Sequence, residues 1–127
     1  MNNRYIINNI YEILEDRIEF NKEKNRFNKK FLEIEKEDNS EINLSDEIYL
    51  YINEEYDRIK ILIMIDDELN KLNIYYFDSE NSNEEEEIYI DLYSIRLDYY
   101  YMNFKELIDL IKKMINDFLY INYKIKI

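Results

Sequence analysis

The sequence predicts an α+β fold: a mainly antiparallel sheet of about four to six strands, with an N-terminal helix and a C-terminal amphipathic helix packed on one face. Three observations predict it. Apolar residues recur at three–four spacing near both ends of the chain. Between them the apolar runs are short, and several alternate with polar residues, as in half-buried strands. The 127 residues, 46% of them hydrophobic, suffice for one domain with a real core, so a single compact α+β domain over residues 1–127 is expected.

Ile7, Ile10, Tyr11, Leu14 and Ile18 mark one face of the first helix, and Asn2 or Asn3 is its candidate cap. The polar stretch Asn21 to Asn25 reads as a loop. Phe27, Phe31 and Ile34 fit a helix or an extended segment, with a strand near Phe31–Lys36 favoured. Ile48-Tyr-Leu-Tyr-Ile52 is an aromatic and aliphatic strand. Ile59-Lys-Ile-Leu-Ile-Met-Ile65 is the most hydrophobic stretch and predicts a central strand. Asp66 to Lys71 reads as a turn, and Leu72-Asn-Ile-Tyr-Tyr-Phe77 as the returning strand of a hairpin. After the polar loop Asp78 to Glu87, Ile88, Ile90 and Leu92 alternate with Tyr89, Asp91 and Tyr93. That alternation predicts a strand, and Ile95 to Met102 either continues it or forms a neighbour.

Asn103-Phe-Lys-Glu106 carries a helix-start signal, an N-cap acceptor with Glu three places on. Phe104, Leu107, Ile108, Ile111, Ile115 and Phe118 then form an apolar stripe. Ile121, Tyr123, Ile125 and Ile127 alternate with polar residues and predict a last strand. The chain contains neither Gly nor Pro, so Asn, Asp and Ser must carry the turns.

The missing letters exclude whole classes of chemistry. Without Cys there is no disulfide, thiolate nucleophile or Cys-type zinc site. Without His there is no imidazole base and no ordinary transition-metal site. Ser–His–Asp and Cys–His arrangements are impossible within this chain. Without Gly the phosphate-binding loops and the dinucleotide fingerprint are impossible too. No Lys follows an acid at two places, so the acid-x-Lys step of many metal-dependent nucleases is missing. No cofactor is expected, and the chain reads as a non-enzyme.

No apolar run reaches the length of a membrane span. The first residues lack the apolar core and cleavage site of a signal peptide. A cytoplasmic protein is expected. The residue alphabet favours A/T-rich codons, which fits an A/T-rich bacterial or phage genome.

Charge is the informative feature. The formal net charge is −12. Residues 1–36 carry net +1, residues 37–98 net −15, and residues 99–127 net +2. The acidity therefore belongs to the predicted sheet and its loops, where it creates a strong local field. Glu84-Glu-Glu-Glu87 reads by itself as a solvated charge run. Asp78, Glu80, Ser82 and Glu84 have the alternate spacing of a calcium loop. Asn83 replaces its mid-loop Gly, however, and Tyr89 stands where the closing acid belongs.

The chain has 14 tyrosines, and several sit beside acids in predicted strands. If Ile88, Ile90 and Leu92 face the core, Tyr89, Asp91 and Tyr93 face outward together. Acids and aromatic rings on one open sheet face suit a basic partner that binds nucleic acid. Carboxylates take its phosphate sites, and rings take surfaces made for bases. The candidate partner-binding residues are Asp46, Glu47, Tyr49, Tyr51, Glu54, Glu55, Asp57, Asp66, Asp67, Glu68, Tyr89, Asp91 and Tyr93.

In size, acidity and A/T-rich composition over its whole length, the chain resembles the small acidic nucleic-acid mimics that phages use against restriction or CRISPR nucleases. That resemblance carries no motif. It implies an inhibitor that binds and neutralises a basic nucleic-acid-binding enzyme, a nuclease or another of that kind. An immunity or antitoxin protein that blocks a cognate toxin shares the same physics. A carboxylate-dependent enzyme is the third reading, and it requires a pocket of converging acids with perturbed pKa. Direct nucleic-acid binding and membrane association are not expected, because an acidic sheet repels phosphate and the basic residues at Lys22–Lys30 form only a weak stripe. Oligomeric state is left open by the sequence.

Overall fold

A computed structural model describes residues 3–24, 32–39, 44–52, 60–100 and 103–123. The first helix, α1, spans Asn3–Lys24, longer by a turn than the fading apolar pattern predicts. Five strands follow: β1 Leu32–Glu37, β2 Glu47–Ile52, β3 Lys60–Asp66, β4 Lys71–Phe77 and β5 Tyr89–Arg96. A 3₁₀ turn, Leu97–Tyr100, leads towards the second helix, α2, at Phe104–Tyr123. The strands form an antiparallel meander in the order β1-β2-β3-β4-β5. The α+β reading therefore holds, and so does the strand favoured near Phe31–Lys36.

Both helices lie on one face. Ile7, Ile10, Leu14 and Ile18 of α1, and Leu107, Ile111, Ile115 and Leu119 of α2, are buried in one cluster with Ile48, Leu50, Ile61, Ile63, Ile65, Leu72, Ile74 and Ile95 of the sheet. The alternate strand residues point the other way. β3 is the middle strand and is buried on both sides. Leu62 and Met64, on the side opposite α1 and α2, are only 7% and 9% exposed. This is the near-continuous apolar run of a central strand.

The missing Gly is replaced as expected. The β3–β4 turn places Asn70 at φ 50°, in the left-handed region that Asn tolerates better than most residues. Asp66 holds the same turn, its Oδ1 accepting the backbone N–H of Glu68 at 2.9 Å and of Leu69 at 3.2 Å. The Asn103 cap is formed: its Oδ1 accepts the Glu106 N–H at 3.2 Å.

Beyond the loop expected at Asn21 to Asn25, which α1 takes up as far as Lys24, three sequence expectations fail. Ile95 to Met102, expected to continue the strand or form a neighbour, leaves β5 at Arg96 and turns as the 3₁₀ segment Leu97–Tyr100. The strand expected from Ile121 onward begins inside α2, which runs to Tyr123; residues 124–127 lie outside the described set. The helix wins because Ile111, Ile115 and Leu119 keep the three–four stripe in register and fully bury it. The alternation through β5 also breaks. Ile74 pairs with Tyr93 but Tyr75 pairs with Asp91, so Leu92 is an extra, bulged residue. Leu92 and Tyr93 consequently both pack against the core, while Tyr89 and Asp91 keep the opposite face.

Candidate partner-binding face

The register places side chains in rows across the sheet face opposite α1 and α2. One row reads Glu35, Tyr49, Leu62, Tyr75, Asp91 from β1 to β5. Beside it run Glu33, Tyr51 and Lys60, with Phe77 opposite Tyr89 on the neighbouring strands. Glu37 pairs with Glu47 on the other side of the first row. Towards the β3–β4 turn lie Asp66, Lys71 and Arg96. The face thus has an acidic β1–β2 edge, an aromatic middle and a mixed-charge corner.

Tyrosine hydroxyls fix several of the carboxylates. Tyr51 Oη donates to Glu35 Oε1 at 2.8 Å, across the β1–β2 pair. Tyr89 Oη donates to Glu87 Oε2 at 2.9 Å, and the Tyr49 hydroxyl donates to Glu47. The hydrogen bond it donates to Glu35, with some desolvation, pushes the Tyr51 phenol up to about 12. Burial first, then the bond to Glu47, raises Tyr49; burial and the bond to Glu87 raise Tyr89. These hydroxyls therefore remain donors at neutral pH. Glu87 is held below its ordinary range by the Tyr89 hydroxyl and by Lys60.

Lys60 sits at the centre of the aromatic group. Its Nζ lies 4.7 Å from the Tyr49 ring centroid and 5.9 Å from those of Phe77 and Tyr89. It reaches Glu87 Oε2 at 3.3 Å and Oε1 at 3.5 Å. Phe77 and Tyr89 pack against each other with centroids 5.7 Å apart and planes tilted by 57°. Three rings and one carboxylate thus lie around a part-exposed ammonium group supplied by the chain itself.

The structure brings Glu47, Tyr49, Tyr51, Tyr89 and Asp91 together on this face. Tyr93 is not among them, because the bulge turns it to the core. Asp46 is only 8% exposed and has little surface to offer. It lines a polar hollow of about 250 Å³ with Arg4, Leu44, Ser45 and Asp67 at the start of α1. Asp67 accepts a bond from the Asn3 side chain there. Asp66 is occupied with its turn, and Glu68 is an exposed turn residue. Glu54, Glu55 and Asp57 lie outside the described residues.

Sequence reasoning missed Glu33 and Glu35, which segment arithmetic hid in the stretch 1–36 of near-zero net charge, and Glu37, the first residue of the acidic segment. The available signal was their alternation with Leu32 and Ile34. It also missed Lys60, Tyr75, Phe77 and Glu87. The calcium-like loop is closed by its own bonds. Asp78 Oδ1 accepts the backbone N–H of Glu80 and Asn81 at 3.2 and 3.3 Å, and Ser82 Oγ accepts that of Ile88 at 2.7 Å. Among the described residues no acids group in a way that would hold a metal ion, and no helix is long and apolar enough to cross a membrane. No family model, no characterised protein and no solved structure matches this chain.

Proposed function

We propose that this chain is a cytoplasmic acidic inhibitor that covers the nucleic-acid site of a basic enzyme with the sheet face opposite its two helices. It would belong with phage anti-defence proteins in mode of action, and it acts by binding rather than catalysis. The observation that carries this reading is the joining of fixed carboxylates and aromatic rings on one open face. Glu33, Glu35 and Glu37 repeat every second residue along edge strand β1, which sets them about 6.6–6.8 Å apart. That interval is close to the separation of successive phosphates along a nucleic-acid strand. A carboxylate already held by a tyrosine hydroxyl loses less freedom on binding, and its second oxygen stays available for an arginine or lysine. Tyr49, Tyr75, Phe77 and Tyr89 supply the stacking surface that bases would otherwise supply.

The test is made with a partner isolated from the native host, identified and then purified. Stoichiometric addition of this protein should suppress its activity on DNA or RNA, and added nucleic acid should compete for the complex. A partner bound equally well in the presence of saturating nucleic acid would contradict the proposal.

A further inference from the structure

The group around Lys60 has the parts of a recognition pocket for a cation, and the chain fills that pocket itself. We propose that the cage of Tyr49, Phe77, Tyr89 and Glu87 receives an arginine side chain of the basic partner, and that Lys60 is a tethered occupant which the arginine displaces. This rests on reading the open face as the partner-binding face.

Three observations support exchange. Lys60 is held loosely: its contacts to Glu87, at 3.3 and 3.5 Å, exceed the about 2.7–2.9 Å of a strong charge-assisted bond. Its side chain is 31% exposed and starts from the first residue of β3, so it has room to swing into solvent. A guanidinium suits the vacated space better than the ammonium it replaces. It is planar and less strongly hydrated, it stacks on ring faces, and it forks onto both oxygens of one carboxylate. Charge complementarity selects the occupant, since Glu33, Glu35, Glu37, Glu47 and Asp91 share this face with the cage.

The probe is an acetylated, amidated hexa-arginine peptide, titrated into the full chain. In the wild type, the Lys60 ε-methylene protons should start shifted by the surrounding rings. They should move to free-lysine positions as the peptide saturates, while the Tyr49 and Tyr89 ring signals shift. Lys60→Ala should bind the peptide about tenfold more tightly, roughly the worth of one half-buried cation–ring contact. Arg96→Ala removes the same charge from another part of the same face and should tighten binding by less than about threefold, as expected of an exposed, screened charge. Lys60 signals that stay ring-shifted at saturation overturn the cage assignment, as does equal tightening by the two variants. Neither result bears on nucleic-acid competition for the partner, which tests the proposed function separately.

Discussion

Tyr51 and Tyr11 share one arrangement, a phenol donating to a carboxylate, Glu35 in one case and Glu15 at 2.6 Å in the other. Both phenols are pushed up to about 12 from an ordinary value of 10. A group whose pKa is raised by folding lends stability below its unfolded value and loses it as pH rises through the folded one. Stability should therefore fall between pH 10 and about 12, and Tyr51→Phe should flatten that decline; urea unfolding at several alkaline pH values measures it. Asn70 gives a second prediction at this scale. Asn70→Ala and Asn70→Gly both lose the side-chain bond to Asp98, but only Ala pays for the left-handed backbone. The Gly variant should be the more stable of the two by about 1 kcal/mol in denaturant unfolding. These residue roles were only partly legible. The absence of Gly announced that Asn, Asp and Ser would carry turns, and the sequence set acids beside tyrosines in the strands without pairing them. Which acid meets which phenol depends on register, and the Tyr51–Glu35 bond spans sixteen residues of sequence.

Elements were more legible where one pattern dominated. The run from Ile59 to Ile65 had no competing reading, and β3, described from Lys60, is the middle strand. Ile63 is fully buried between the sheet and the helices. Ile63→Ala should cost about 2–5 kcal/mol, read as a lower urea midpoint with an unchanged slope. A smaller loss would mean that the core relaxes around the cavity. At the end of α2 two patterns overlapped. Ile121 and Tyr123 fit a strand's alternation, while the stripe through Leu119 favoured the helix, and burial decided for the helix. In β5 the alternation was real but interrupted, since one inserted residue at Leu92 reverses every later side chain. Tyr93 thereby leaves the candidate face while Tyr89 stays on it.

At the scale of the molecule, a charge of −12 is concentrated outside the apolar core, and its self-repulsion opposes folding. Salt should act in opposite directions on the two properties of this protein. Screening, which shortens the reach of charge to about 8 Å at physiological ionic strength, should raise the thermal unfolding midpoint of the free chain. The same screening should slow its association with a basic partner. A midpoint that falls as salt rises from a few millimolar would show that attractive pairs such as Lys60–Glu87 and Lys22–Glu33 outweigh the repulsion.

The most direct test of the central claim is the association rate with the purified basic partner at low and high salt, for two charge-matched variants. One neutralises the open face, with Glu35, Glu37 and Glu47 changed to Gln and Asp91 to Asn. The other neutralises exposed acids on the helices, with Glu12 and Glu106 changed to Gln and Asp109 and Asp117 to Asn. An open-face site predicts that the first variant loses most of the on-rate and most of its salt dependence, while the second stays near wild type. Equal losses in the two variants, or an on-rate indifferent to salt and to both sets of changes, would contradict it.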